Sequence, residues 1–326
     1  MSYTVTQESF SSLTSCSKDF NYRLNWSSVF VLPAWLEVWW REFKPDAELY
    51  LRSVRQQSDI IGIAPLQVQD RQASFIGSID VCDYMDFVIA HGKEEDFFNV
   101  LLDDLSKQGI EQLNLGHLRP DSTVLNTMVA IAEKRGYDVR SHEDAVSLEL
   151  DLPASWEEYL AHLDKKQRHE VRRKLRRLWE ADKVEYRCTQ VTHEVENFLD
   201  TFLKLFALSP EEKANFMTAQ RETFFRSIAE AMAALGMLRM GTLEVDGIPA
   251  AMIMGFDYKT TMYLYNSAYD PAYSHLSVGL LSKVLCIKES IERGLKKWDF
   301  LKGVETYKYH LGGSAVPLHS CQIRIR

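Results

Sequence analysis

Residues 237–267 read MLRMGTLEVDGIPAAMIMGFDYKTTMYLYNS, and this stretch decides the fold. Its apolar and β-branched residues predict strands over 237–245, 249–256 and 261–267. The pair Asp246-Gly247 between the first two strands is a strong signal for a two-residue hairpin turn. The stretch therefore predicts an antiparallel meander of three strands.

A helix and one more strand follow the meander. Ser277 can cap a helix that runs to Arg293, and Gly294 is a typical stop signal. Residues 297–301 predict a closing strand, and a polar loop over 302–308 comes after it. The predicted order of elements is therefore three strands, a helix and a strand.

The upstream sequence also alternates between strand and helix periodicity. Residues 49–54 and 60–68 predict a hairpin, whereas 97–105 and 124–134 predict helices. A length of 326 residues suggests about two domains. We therefore expect an α/β (α+β) layered fold with one lobe over 1–150 and another over 151–326.

The composition limits the class of function and the compartment. A net charge of -8 argues against a dedicated nucleic-acid binder, which usually carries a basic domain. Five cysteines, an odd number without a C-x-x-C pair, indicate reduced thiols in the cytoplasm. Because no secretory signal and no apolar run of about 18 residues is present, we expect a cytoplasmic protein without a membrane span.

The predicted start of the 277–293 helix is a candidate anion site. The first N–H groups of a helix have no partner within it, and the helix dipole favours a negative group there. Gly279 would let a ligand approach the backbone closely. The candidate binding residues are Ser277, Val278, Gly279 and Leu280. The alternative is an ordinary capped helix.

A basic amphipathic helix is predicted over residues 155–182, with a candidate break near Asp164. Eight lysines and arginines lie within the thirteen residues 165–177. Arg168 and Arg172 share one face, so we consider them candidates for binding a small phosphorylated ligand. A solvated helix face is the alternative.

Four motifs stand out in the stretch 269–311: Tyr269-Asp270, Ser277-Val278-Gly279-Leu280-Leu281, Asp299-Phe300-Leu301-Lys302-Gly303 and Glu305-Thr306-Tyr307-Lys308. With these residues the stretch resembles the CelD-like acetyltransferases, a GNAT branch related to the Fem-type aminoacyl transferases of peptidoglycan synthesis. The basic helix and the segment 83–87 also fit this family, although the resemblance is specific only in the last hundred or so residues.

The resemblance implies two tandem GNAT-like lobes, each a mixed, largely antiparallel sheet flanked by helices, with a degenerate first lobe. It also implies that the start of the 277–293 helix holds the pyrophosphate of coenzyme A, so that acetyl-CoA or another acyl-CoA is the co-substrate. The usual Arg/Gln-x-x-Gly-x-Gly/Ala signature is here His275-Leu276-Ser277-Val278-Gly279-Leu280. This departure keeps aminoacyl-tRNA, the donor of Fem-type proteins, as an alternative.

Acyl transfer to an amine requires a base, donors to the oxyanion and an acid for the leaving thiolate. Asp299 and Glu305 are candidate bases or amine-orienting carboxylates, and Tyr307 is the candidate acid. Lys308 could hold a phosphate or the oxyanion, a role that the Fem-type resemblance also implies. Asp86 is the candidate substrate-binding residue of the first lobe.

Several other chemistries lack their motifs. The sequence has no Walker A loop, no His-Glu-x-x-His, no Gly-x-Ser-x-Gly elbow and no metal-ligand spacing, so we predict no metal. We expect an N-acyltransferase whose partner is an amine on a sugar, an amino acid or a phosphorylated or nucleotide-linked cell-envelope precursor. The alternatives are a transferase that uses aminoacyl-tRNA and a non-catalytic GNAT-like module in polysaccharide biosynthesis.

Overall fold

The computed structural model describes residues 2–18, 23–78, 80–181, 183–191, 194–208 and 216–325. The chain folds into two compact units. The first comprises Met1–Val146 and Val316–Arg326, and the second comprises Ser147–Ala315. Within the described residues, no helix combines the length and the apolarity that crossing a bilayer requires.

The first unit is a mixed sheet with helices. Its strands follow the order β1-β2-β3-β4-β6-β13, with β5 paired to β3. Only β4 and β6 are parallel among these pairs of described strands. The elements are β1 (Tyr3–Gln7), α1 (Phe10–Lys18), a 3-10 turn (Val29–Val31), α2 (Pro33–Phe43), β2 (Glu48–Gln56), β3 (Asp59–Gln69), β4 (Gln72–Phe75), β5 (Val88–Ile89), α3 (Glu94–Lys107), β6 (Gln112–Leu118), a π-helical turn (Val124–Met128), α4 (Val129–Lys134), the start of β7 (Asp138–Asp151) and, at the end of the chain, β13 (Ser314–Arg324).

The second unit repeats this architecture. Its strands follow the order β7-β12-β11-β10-β9-β8, and only β11 and β12 are parallel among these described pairs. The elements are α5 (Trp156–His162), α6 (Lys165–Trp179), β8 (Val184–Gln190), α7 (Val195–Ala207), α8 (Ala219–Ala234), β9 (Leu238–Val245), β10 (Ile248–Tyr258), β11 (Thr261–Tyr269), a 3-10 turn (Pro271–Leu276), α9 (Val278–Glu292), β12 (Lys297–Lys302) and α10 (Thr306–His310). The predicted fold class, with two lobes of mixed, largely antiparallel sheet flanked by helices, is confirmed.

Aromatic side chains fill the core of the second unit. Phe202, Phe224 and Phe256 are fully buried. The Tyr265 ring lies 5.2 Å from both Phe225 and Phe256, measured between centroids. Burying such a side chain contributes about 1.5–3 kcal/mol, so this cluster fixes α8 on the sheet.

The predicted hairpin turn is confirmed in detail. Val245 pairs with Ile248, which leaves Asp246 and Gly247 as the two loop residues. Both have positive φ, 53° and 76°, as a type I′ turn requires. Local turn chemistry therefore sets the register of β9 and β10.

Two features differ from the sequence-based assignment. Strands β1, β7, β8 and β13 lie where the sequence predicts no strand. Because β13 pairs with β6, residues 316–326 lie in the first unit, whereas the predicted division at residue 150 assigns them to the second lobe. A terminal strand can pair with a strand far away in the sequence, and no local sequence pattern identifies that partner.

The basic segment 155–182 forms two helices, α5 and α6, with the predicted break at Asp164. Leu163 is extended, and the Asp164 carboxylate accepts a hydrogen bond from the Gln167 N–H at 2.9 Å. This is an ordinary N-cap, which begins α6 afresh.

Gly247→Ala should lower the free energy of unfolding by about 1 kcal/mol, because alanine is strained at positive φ. An added Cβ would meet no atom within 4 Å, so backbone strain is the only expected cost. Gly247→Asn is the matched control and should stay close to wild type, since asparagine tolerates this conformation. Urea unfolding measures both, and equal losses in the two variants would contradict the turn assignment.

Candidate functional site

In the sheet of the second unit, the pairing between β11 and β12 ends after three residues. The two strands pair over three residues, from Thr261–Lys297 to Tyr263–Asp299. β11 then continues to Tyr269 and β12 to Lys302, with no further pair between them in this described part of the chain. β12 remains paired with β7 on its other side. The strands therefore no longer pair beyond Asp299, and their facing backbone groups there need other partners.

The N-terminus of α9 lies just after the end of β11. A 3-10 turn over Pro271–Leu276 connects the strand to the helix, and the Asp270 carboxylate caps this turn through the Ala272 N–H at 2.9 Å. Because β11 and β12 are parallel, the helix start and the end of β12 belong to the same edge of the sheet. The predicted anion site and the predicted catalytic loop therefore share that edge.

The prediction that the Ser277 side chain caps α9 is wrong. Ser277 has φ 59° and ψ 32°, and its side chain makes no capping hydrogen bond. A capping side chain normally reaches the helix from an extended backbone, which the left-handed conformation does not provide. The first N–H groups of α9, those of Val278 and Gly279, thus donate no hydrogen bond to the Ser277 side chain and have no acceptor within the helix.

The Tyr269 ring leaves no room for a side chain at position 279, so glycine is needed there. A Cβ at this position would lie 2.8 Å from the Tyr269 ring, so any larger residue would displace the ring. This contact ties the start of α9 to the last residue of β11. Direct approach of a ligand to Gly279 stays a prediction.

Lys283 joins the helix start to the loop after β12, and the sequence analysis missed it. Its Nζ donates to the Gly279 carbonyl at 2.7 Å and lies 5.1 Å from the centre of the Tyr307 ring. The side chain is buried. A lysine within the apolar stripe of α9, next to Val284 and Leu285, is the sequence signal that could have revealed it.

Lys308 holds the loop after β12, although it lies in the short helix α10 and not in the polar loop predicted over 302–308. Its Nζ donates to the carbonyls of Leu301, Lys302 and Gly303 at 3.2, 2.7 and 3.3 Å, and pairs with Glu305 at 2.9 Å. The side chain is only 3% exposed. An ammonium group has three donors, and these acceptors occupy them. Lys308 therefore acts on the loop backbone in this arrangement.

Positive φ angles mark the same loop. Leu301 has φ 60°, and Gly303 has φ 117°. For a branched residue such as leucine, the left-handed conformation is strained and persists only where the surroundings enforce it. The bonds from Lys308 supply that enforcement.

Tyr307 lies in the first turn of α10, and its role as a general acid stays a prediction. Its ring lies beside Phe300, with centroids 6.5 Å apart. Burial, followed by the nearby Glu305 carboxylate, raises the pKa of the Tyr307 hydroxyl. The hydroxyl therefore keeps its proton at neutral pH, which is the form that a general acid requires.

Asp299 lies in a row of polar residues across three strands. The register places Tyr263 on one side of it and Glu149 on the other. Asp299 and Glu149 are both buried, and Glu149 pairs with Lys297. The Asp299 carboxylate also accepts the Leu301 N–H at 2.8 Å. Two carboxylates directly opposite each other destabilise a sheet. Such an unfavourable placement of ionisable groups is typical of functional sites. Glu149 was missed because β7 was not predicted.

The basic residues of α6 are mostly engaged at the surface. Arg173 pairs with Glu170 at 2.8 Å, and Arg172 approaches Glu157 at 3.5 Å. Arg168 makes one long contact, to the Ala161 carbonyl at 3.4 Å. These contacts fit a solvated helix face, and anion binding by Arg168 and Arg172 stays a prediction.

One arginine of α6 reaches the candidate site. Arg177 donates to the carbonyl of His275 at 3.0 Å, in the 3-10 turn before α9. α6 packs against both that turn and α9. The basic helix therefore adds positive potential near the N-terminus of α9.

Residues 165–309 match the sequence model of the acetyltransferase (GNAT) domain. The matched span begins with α6 and ends within α10, so it contains every predicted site residue except Asp86. This match supports a place in the GNAT superfamily and an acyltransferase function for this part of the chain. None of the curated proteins compared with the chain matches its sequence.

Solved structures share the fold at low sequence identity. FemX is 11% identical, covers 98% of this chain and 96% of its own, and has a TM-score of 0.67. A conserved protein of unknown function from Bacteroides thetaiotaomicron is 12% identical, with 89% of each chain covered and a TM-score of 0.60. L-PGS from Bacillus licheniformis is 11% identical, covers 89% and 90%, and has a TM-score of 0.56. At such identities these likenesses establish the GNAT-like fold alone.

Asp86 belongs to the first unit and is buried there. Its carboxylate accepts the Thr123 hydroxyl at 2.6 Å and the N–H groups of Thr123 and Phe87 at 2.9 Å. Burial raises the pKa of the Asp86 carboxyl to about 6. These contacts fix the start of the π-helical turn, and substrate binding by Asp86 stays a prediction.

Lys308→Met should lower the free energy of unfolding by about 2–3 kcal/mol, because the carbonyls of the loop lose their shared donor. Lys296→Met removes an exposed lysine and should stay within about 0.5 kcal/mol of wild type. Urea unfolding of both variants tests this. A Lys308→Met variant as stable as its control would show that the ammonium does not hold the loop.

The raised pKa of Asp86 predicts a pH dependence of stability. Between pH 4 and 6 the folded state keeps a proton that the unfolded state releases, so this group favours folding less as the pH rises. With a folded pKa of about 6 and an ordinary value of 3.8, the change from pH 4 to pH 7 is about 2 kcal/mol, because the unfolded carboxyl is partly protonated at pH 4. Urea unfolding of wild type and of Asp86→Asn at several pH values measures this change. The free energy of unfolding of wild type, relative to that of the variant, should fall by that amount between pH 4 and pH 7. A difference that is independent of pH would contradict the assignment.

Proposed function

We propose that the second unit is a CelD-like N-acyltransferase of the GNAT type. It transfers an acyl group, in the simplest case acetyl, from a coenzyme A thioester to an amine. The acceptor belongs to a sugar, an amino acid or a phosphorylated cell-envelope precursor. One observation carries the proposal: within the span that matches the acetyltransferase domain, a helix N-terminus adjoins the parted strands β11 and β12.

The start of α9 suits the pyrophosphate of coenzyme A. Val278 and Gly279 offer N–H groups without acceptors in the helix, and the helix dipole adds about half a positive charge at this end. Arg177 and the rest of α6 contribute further positive potential. The thioester would extend from this end into the gap between the strands.

Acyl transfer forms a carbon–nitrogen bond and breaks the carbon–sulfur bond of the thioester. Asp299 or Glu305 accepts the proton that the attacking amine loses. Tyr307 donates its proton to the departing thiolate. Glu305 is the more exposed of the two carboxylates, with 56% of its side chain accessible, so it is better placed to orient an incoming amine.

Two buried lysines have positioning roles in this proposal. Lys308 shapes the loop that carries Glu305 and Tyr307, through its bonds to the loop carbonyls. Lys283 places the Tyr307 ring relative to the first turn of α9. A CoA-dependent reaction also fits a cytoplasmic protein, and all five cysteines are free thiols.

Ser277→Asp should weaken the binding of acetyl-CoA at least about tenfold, or about 1.4 kcal/mol, because a carboxylate at the helix start repels the pyrophosphate. The protein should remain folded, since aspartate tolerates the left-handed backbone and stabilises a helix N-terminus. Ser277→Asn is the neutral control of the same shape and should retain wild-type affinity. Isothermal titration calorimetry provides the measurement, and equal affinities in all three proteins would refute this binding site.

A second candidate function is transfer from aminoacyl-tRNA. It is motivated by the fold shared with FemX over nearly the whole chain, and by the basic helix α6. The same titrations separate the two donors. Binding of charged tRNA that weakens steeply with salt, without binding of acyl-CoA, would favour the tRNA donor. If neither donor binds and no amine is acylated, the remaining alternative is a non-catalytic module in polysaccharide biosynthesis.

A further inference from the structure

A cluster of three potential metal ligands lies in the second unit, on β8 and on the later turns of α9, at positions that the proposed transfer reaction does not use. The ligand atoms of Cys188, Cys286 and Glu289 all lie within 4.8 Å of one another. The two sulfur atoms are 3.6 Å apart. Both cysteines are free thiols, and the sequence analysis predicted no metal.

The fold brings these ligands together from a strand and a helix. Cys188 lies on β8, the last strand in the order of the second sheet, and pairs with Gly241 of β9. Cys286 and Glu289 are three residues apart on α9, so they share one face of the helix. α9 packs against β8 and β9, which directs this face towards Cys188.

The distances match a tetrahedral site for a thiophilic cation. Zinc–sulfur bonds of about 2.3 Å place two thiolates about 3.8 Å apart, close to the separation of the sulfur atoms here. The Glu289 carboxylate lies within 4.8 Å of both sulfur atoms and would have to move closer to bind the same ion at about 2.0 Å. Three protein ligands leave the fourth position for water.

Buried polar atoms surround the cluster without partners. Among the described residues, nothing makes a hydrogen bond with Glu289 Oε2, the Tyr186 hydroxyl or Asp257 Oδ1. The Tyr186 hydroxyl lies over Gly241, where a Cβ would come within 3.0 Å of it. A metal with its water would supply partners for such atoms.

The charges around the site also balance. Asp257 pairs with Arg239 and with Arg293, and Arg293 lies 4.0 Å from Glu289. The formal charges of these two arginines and two carboxylates sum to zero. A divalent cation that replaces two thiol protons preserves this sum, which avoids an uncompensated buried charge.

We propose that Cys188, Cys286 and Glu289 bind a thiophilic divalent cation, preferably Zn²⁺. Two thiolates with one carboxylate are a donor set that favours zinc over magnesium or calcium. The cation would fasten the edge strand β8 to α9, the helix whose N-terminus is the proposed anion site. Its role is structural, and it does not depend on the proposed acyl transfer.

Titration of the reduced, metal-free full chain with Co²⁺ tests this proposal. We expect the intense sulfur-to-cobalt charge-transfer band and the visible bands of tetrahedral Co²⁺, with one ion bound per chain and with displacement by Zn²⁺. Cys188→Ser and Cys286→Ser should each weaken these bands and lower the affinity for Co²⁺ at least about tenfold. Glu289→Gln should lower the affinity and retain the charge-transfer band. Cys321→Ser, which alters a buried cysteine of the first unit, should bind like wild type.

Thermal unfolding provides a second readout that does not depend on the spectra. Zn²⁺ should raise the melting temperature of wild type and of Cys321→Ser, and leave that of Cys188→Ser unchanged. Absence of cobalt bands in the reduced wild type would overturn the proposal. So would bands that persist in a Cys188→Ser, Cys286→Ser double variant, or a disulfide between these two residues in protein purified without reductant.

Discussion

The parting of β11 and β12 is the constraint on which the rest of the second unit depends. Parallel strands normally stay paired because each buried backbone group needs a partner. Here the pairing stops after Tyr263 and Asp299, while β12 remains bound to β7 on its other side. The backbone at the end of β12 must therefore be secured by other groups. Lys308 provides them, through its bonds to three successive loop carbonyls.

Buried charge is concentrated around this gap. Asp299, Glu149, Lys283 and Lys308 are all buried within one unit, although burial of a charged side chain is costly unless partners compensate it. Each of the two lysines donates hydrogen bonds to backbone carbonyls, and Glu149 forms an ion pair with Lys297. Such an arrangement contributes less to stability than apolar packing would. The concentration of these charged side chains next to a helix N-terminus is therefore better explained by a functional site than by a contribution to stability.

Helix α9 connects the two proposed sites. Its first turn provides the N–H groups proposed to bind coenzyme A, and its later turns carry Cys286 and Glu289. Between them, the buried face of the helix packs on the sheet of the second unit. A cation near Cys286 would thus stabilise the same helix that the proposed acyl donor uses, at a position removed along the helix from the chemistry.

The sequence by itself determined the local elements and the position of the loop. The Asp246-Gly247 turn, the meander, the break at Asp164 and the bounds of α9 follow from turn chemistry, capping and periodicity, which act over a few residues. Only the tertiary structure decided that Ser277 is left-handed, that Lys308 is buried on a short helix, and that Glu149 lies opposite Asp299. Likewise, Cys188 meets Cys286 across ninety-eight residues of sequence. These contacts arise because distant strands and helices pack together, and no local pattern specifies which distant residue becomes the neighbour.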